Sequence, residues 1–168
     1  MRRLVTILAA LSLCMQLGAQ NVADELKAMA AANRVSLSYS YSDSAGKELG
    51  KGMATVQGHC YKVIESGTTY LCDSTTLWTI ISRSKEIYIE NGGGPADIFG
   101  HLDTILDNVE ELSMDGNRVS FKLKMQGVPE PITCKATILR KTEPTEDLKD
   151  FRLDPDKYDR LWIITDLR

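Results

Sequence analysis

Between Gly52 and Glu90 the chain reads GMATVQGHCYKVIESGTTYLCDSTTLWTIISRSKEIYIE, with no stretch of helical period inside it. It reads as five short strands joined by tight turns. A four-residue hairpin loop at Ser82-Arg83-Ser84-Lys85 sets Ile81 against Glu86 and puts Trp78 and Ile80 on one face with Ile87 and Ile89. A turn at Asp73–Thr76 brings Leu71 beside Trp78, and a three-residue loop at Glu65-Ser66-Gly67 adds Tyr61 and Val63. The expectation is one apolar surface: Tyr61, Val63, Leu71, Trp78, Ile80, Ile87 and Ile89. A one-residue slip in any turn would send that strand's residues to the other face. No nucleophile, base or ligand cluster accompanies the surface, which points to binding and away from catalysis.

The first residues are expected to lie outside the fold. Met1-Arg2-Arg3 is a positive start, Leu4 to Leu17 is an apolar run, and Leu17-Gly18-Ala19 offers small residues for cleavage before Gln20. That is the pattern of a secretory signal peptide over 1–19, too short to span a bilayer comfortably. Leu13 stands before Cys14 where a lipoprotein signal wants a small residue, and Arg2-Arg3 lacks the flanks of a twin-arginine signal. The mature protein is expected outside the cytoplasm as a single domain over 20–168. Losing two arginines takes the formal charge from −3 to −5. That balance does not invite nucleic acid and gives no reason to expect adsorption to anionic lipid.

Along the mature chain, Asn21 to Asn33 reads as a short amphipathic helix with Val22, Leu26, Met29 and Ala30 on one face. Val35 to Ser42 then alternates apolar or aromatic residues with serines, the period of a strand with one dry and one wet face. Leu49 to Gln57 is a second strand, loosened by Gly50 and Gly52. After Asn91-Gly92-Gly93-Gly94-Pro95, the stripe Ile98, Leu102, Ile105 and Val109, flanked by Phe99 and Leu106, predicts a second helix from 96 to about 109. Asp115-Gly116-Asn117 is a hairpin turn, and strands follow over Val119–Met125 and Ile132–Ile138. Two closing strands are expected near Phe151–Leu153 and Leu161–Thr165. The sum is an α+β, mainly β chain: about ten antiparallel strands in one strongly curled sheet, with two amphipathic helices. Two short helices fill little of such a curl, so an apolar cavity is expected beneath them.

Cys60, Cys72 and Cys134 remain after the signal, permitting one bridge. The three-residue loop would place Cys60 opposite Cys72, where a disulfide would fit. The preferred reading is three small apolar residues packed in or on the sheet. No CxxC supports a redox motif or a zinc site. His59 and His101 stand alone, the glycines at 92–94 are followed by no GK[ST], and Asp103, Asp107, Glu110 and Glu111 read as a solvated acidic helix end. Asp73 and Glu86 lie in or beside turns and lack the geometry of a catalytic pair. No cofactor, metal or enzymatic activity is expected.

The series Gly58…Tyr61…Cys72-Asp73…Leu77-Trp78…Lys85-Glu86-Ile87-Tyr88-Ile89, with Phe151-Arg152-Leu153-Asp154-Pro155-Asp156-Lys157-Tyr158 and Asp166-Leu167-Arg168, resembles the outer-membrane lipoprotein carrier family (LolA-like), in a short branch of it. The resemblance covers essentially the whole mature chain. It implies an unclosed β-barrel with a helical lid over an apolar cavity, and a periplasmic carrier or chaperone. Such a carrier moves acyl chains of lipoproteins from an inner-membrane releasing complex to an outer-membrane acceptor. Two departures stand out: the family's latch arginine on an early strand falls near Tyr61 or Lys62, and the usual Asp-Gly turn before the Trp strand is Asp73-Ser74.

On that reading Val35, Leu37, Tyr39 and Tyr41, with the surface of Tyr61, Val63, Leu71, Trp78, Ile80, Ile87 and Ile89, form the cavity wall. Ile98, Phe99, Leu102 and Ile105 form the underside of the lid. Filled core is the alternative for each of them. Acyl chains of lipoproteins are the expected partner, bound by a monomer. A protein-interaction module, or a carrier of another amphiphile on the same scaffold, stays open as a second function.

Overall fold

Strict alternation in RVSLSYSYS builds the first strand, β1 (Arg34–Ser42). In the computed structural model, which describes residues 21–94, 109–124 and 129–168, it is an interior strand of a ten-stranded sheet. The others are β2 (Glu48–Gln57), β3 (Cys60–Glu65), β4 (Thr68–Asp73), β5 (Thr76–Ile81), β6 (Glu86–Asn91), β7 (Val109–Asp115), β8 (Arg118–Leu123), β9 (Ile132–Thr142) and β10 (Ile163–Asp166). Their order is β10-β6-β5-β4-β3-β2-β1-β9-β8-β7, so β10 and β7 are the two edges and the sheet does not close. The fold is mainly β with one helix among the described residues, α1 over 21–32. The second helix and its lid role (Ile98, Phe99, Leu102, Ile105) lie outside the described residues, as does the signal segment.

Eight of the nine pairings are antiparallel; β10 instead runs parallel to β6. The closing strand expected at Phe151–Leu153 is not a strand: Lys149–Phe151 and Pro155–Lys157 are single 3-10 turns. Glu110 and Glu111, read as a helix end, lie in β7 and pair with Lys124 and Lys122.

Turn chemistry fixes the register, and here one expectation fails. The 82–85 loop sets Ile81 against Glu86, and Leu71 faces Trp78, as expected. The β3–β4 hairpin, however, turns through only two residues, Ser66 and Gly67, both in the left-handed region at φ 50° and 84°. Two positive φ values give a type I′ turn, which matches the twist of the strands it joins. Tyr61 therefore faces Cys72 and Val63 faces Tyr70, while Leu71 faces Lys62. Tyr61 and Val63 are consequently on the opposite face from Leu71, Trp78, Ile80, Ile87 and Ile89. Cys60 faces Asp73 and not Cys72, and all three cysteines of the described residues are free thiols.

The inner face, on which α1 packs, carries two buried clusters. Ala23 of α1 packs with Leu112 and Val119, joined by Val22, Leu26, Phe121, Ala136 and Ile138. The second cluster is Tyr61, Val63, Cys72 and Leu77. The outer face carries the third, Leu71, Ile80 and Ile87, covered by Leu153, Tyr158 and Trp162 from the C-terminal segment. Phe151, from the same C-terminal segment, is fully buried, with the Arg34 guanidinium 5.1 Å from its ring centre and bonded to Asp150.

One turn ties this cover to the sheet. Asp73 Oδ1 accepts from the Thr75 hydroxyl at 2.8 Å and from the Thr75 and Thr76 N–H groups, while Oδ2 accepts from Arg152 Nε at 2.9 Å. Burial raises the Asp73 pKa, but these donors outweigh it and hold the carboxyl below its usual range. Ser74, next in this turn, takes φ 79°.

Candidate functional site

The inner face of β1 is the candidate binding surface. Alternation turns Val35, Leu37, Tyr39 and Tyr41 inward and the serines outward. Leu37 sits between Ala54 on β2 and Ile138 on β9; Tyr39 sits between Gly52 and Ala136. Val35 is buried, whereas Leu37, Tyr39 and Tyr41 stay half-buried, together with Tyr70 from β4. Tyr61 and Val63 are core, at 2% and 1% exposure, and support the surface from below.

The two tyrosines are held by a device that spans three strands. Gly50 and Gly52 stand opposite Tyr41 and Tyr39 on β2, and their missing side chains leave room for the rings. A Cβ at Gly52 would lie 2.7 Å from the Tyr39 hydroxyl and 2.6 Å from the Ile64 carbonyl; one at Gly50 would overlap the Tyr41 hydroxyl. The rings thus pass over β2 and reach Glu65 on β3. Tyr41 donates to Glu65 Oε1 at 2.5 Å, and Tyr39 donates to Glu65 Oε2.

The carboxylate favours neutral, donating phenols. The hydrogen bond to Glu65, then burial, pushes the Tyr41 pKa up to about 12 from its ordinary 10.0. Burial, then the same carboxylate, raises Tyr39 further. Both phenols are therefore protonated donors across the neutral range. A ring whose hydroxyl already has a strong acceptor can offer its apolar faces to hydrocarbon without stranding a polar group.

Five expected wall residues are elsewhere. Leu71, Trp78, Ile80, Ile87 and Ile89 line the outer face and are packed under Leu153, Tyr158 and Trp162, the last two meeting edge-to-face at 4.8 Å. The cause is the two-residue turn described above. Glu65 escapes notice in the sequence because it reads as a loop residue. Its only trace there is the pair of glycines placed where two tyrosines need space.

Among the described residues, no group of three His, Cys, Asp or Glu side chains could hold a metal, and no helix is long and apolar enough to cross a membrane. No family model matches the chain, and no curated protein matches it. Among solved structures, the chain is similar to an uncharacterized conserved protein from Thermus thermophilus. The TM-score is 0.48 at 7% identity, covering 88% of this chain and 98% of that one.

Proposed function

We propose that the protein is a non-enzymatic carrier that shelters acyl chains of lipoproteins on the inner face of its sheet, outside the cytoplasm. The observation that carries this reading is the strip of half-buried Leu37, Tyr39, Tyr41 and Tyr70, with both β1 tyrosine hydroxyls engaged by one carboxylate. Each methylene of an acyl chain left in water costs about 0.8 kcal/mol, so even partial cover drives uptake. Ring faces fixed from beneath bind hydrocarbon by area, without directional bonds, which permits later release. The order of motifs that resembles the lipoprotein carriers gives the cargo class.

The test is uptake of a fluorescent fatty acid, followed by release of lipoproteins from spheroplasts. Leu37→Glu, which places a charge in the strip, should abolish uptake while leaving the circular dichroism spectrum unchanged. Uptake that persists in the folded variant, or lipoproteins that stay in the inner membrane when the protein is added, would end the proposal.

A second reading, a protein-interaction module, rests on the far edge of the sheet. Leu161, Ile163, Ile164 and Leu167 are exposed along and beside β10, the edge strand next to β6. Isolation from native envelope separates the two: stoichiometric lipid in the mass spectrum favours the carrier, and a lipid-free protein with a tight protein partner favours the module.

A further inference from the structure

We infer that the outer face of β2, β1, β9 and β8 is a docking surface for an anionic phospholipid bilayer. An open groove of about 840 Å³ lies there. The register defines its floor. One row across the strands reads Lys51, Ser40, Lys135, Ser120 and Ser113; the next reads Met53, Ser38, Thr137, Arg118 and Asp115. Strands lie about 4.8 Å apart, so Lys51 and Lys135 stand roughly 10 Å apart in one row, with Arg118 one strand and one row away. That spacing suits several headgroups better than a single small anion.

Charge complementarity selects the occupant. Three cations line the groove against one carboxylate, Glu48, which is 3.0 Å from Lys51. Among the described residues, Lys135 and Arg118 have no ion-pair partner, and Asp115 stands at the rim opposite Arg118. The formal charge of the whole sequence is −3, so this local excess of three cations over one carboxylate runs against the balance of the chain. Beside them Met53 and Ile64, cross-strand neighbours, are 54% and 46% exposed. Basic side chains next to exposed apolar ones suit the boundary between headgroups and acyl chains. The net charge of the sequence conceals this surface because it averages over both faces.

The surface stands on the opposite side of the sheet from the proposed acyl site, so the two can fail separately. The protein should sediment with phosphatidylglycerol-containing vesicles and not with phosphatidylcholine vesicles, and binding should fall as salt rises. Arg118→Gln with Lys135→Gln should weaken binding about 20- to 30-fold, while Lys157→Gln, far from the groove, changes nothing. If the double variant fails to fold, Lys51→Gln alone should weaken binding about 5-fold. Fatty-acid uptake by these variants should be unaltered. Equal vesicle binding by the variants and the parent protein would overturn the inference. Full displacement by millimolar inorganic phosphate would overturn it too, by marking a small-anion site. So would capture of poly-glutamate without any vesicle binding, by marking a surface for acidic protein.

Discussion

The outer face of β4–β6 and the inner face of β1–β3 are both apolar, yet they are finished in different ways. The first is buried by the chain's own C-terminal segment, side chain on side chain, through Leu153, Tyr158 and Trp162, and the same segment carries Phe151 with no exposure. On the second, Val35, Tyr61 and Val63 are buried but Leu37, Tyr39 and Tyr41 stay half-buried, and the Tyr39 and Tyr41 rings are positioned by polar bonds at their far ends. Packing that excludes water makes a core. Rings held by a shared carboxylate keep their orientation without being fully buried, and that is the property the proposed binding surface needs. On the proposed function, the same residue types serve opposite purposes on the two sides of one sheet.

Phe151→Ala should show the largest effect, because it empties a fully buried site. A loss of about 3–5 kcal/mol is expected in urea unfolding, with fatty-acid uptake per folded molecule unchanged. If uptake fell in proportion, the two faces would not be separate. Gly52→Ala should cost about 1–3 kcal/mol and displace the Tyr39 ring, since the new methyl meets both the ring and the Ile64 carbonyl. Unlike Phe151→Ala, it should impair uptake, and a stable variant with intact uptake would show that the glycine gap does not position the ring.

The smallest effect belongs to Glu65 and should appear in titration. Tyr41 has a folded-state pKa raised to about 12, so its contribution to stability is complete below the ordinary value of 10.0. It is lost as pH rises from there through about 12, and the contribution of Tyr39, raised further, is lost later. Glu65→Gln removes the charge while leaving an acceptor. Ultraviolet titration of tyrosinate should then show Tyr41 ionising nearer 10.0, with about 1–2 kcal/mol lost at neutral pH. A titration curve unchanged by the substitution would remove the carboxylate from the account.

Much of the fold is legible in the sequence because the signal is local. The serine alternation of β1, the four-residue loop at 82–85 and the Asp115-Gly116-Asn117 turn each act over a few residues. The loop at 65–67 misleads for a specific reason. Its one glycine suggests one left-handed residue, but Ser66 takes that conformation as well, shortening the loop and turning Tyr61 and Val63 to the other face. The C-terminal cover is hidden because Phe151, Leu153, Tyr158 and Trp162 follow neither a helical nor a strand period. The Tyr–Glu–Tyr bond set is hidden because its members belong to different strands, with a third strand between them, and only the register brings them together.

The parallel attachment of β10 to β6 ties Ile163–Asp166 to Glu86–Ile89 across most of the second half of the chain. Until β10 is in place, the border of β6 that it covers is bare. Long-range closures of this kind form late. An incomplete chain would expose a strand rim open to pairing with other molecules. Residues 163–166 thus act as a seal on β6, whose rim is at its most vulnerable until they are in place.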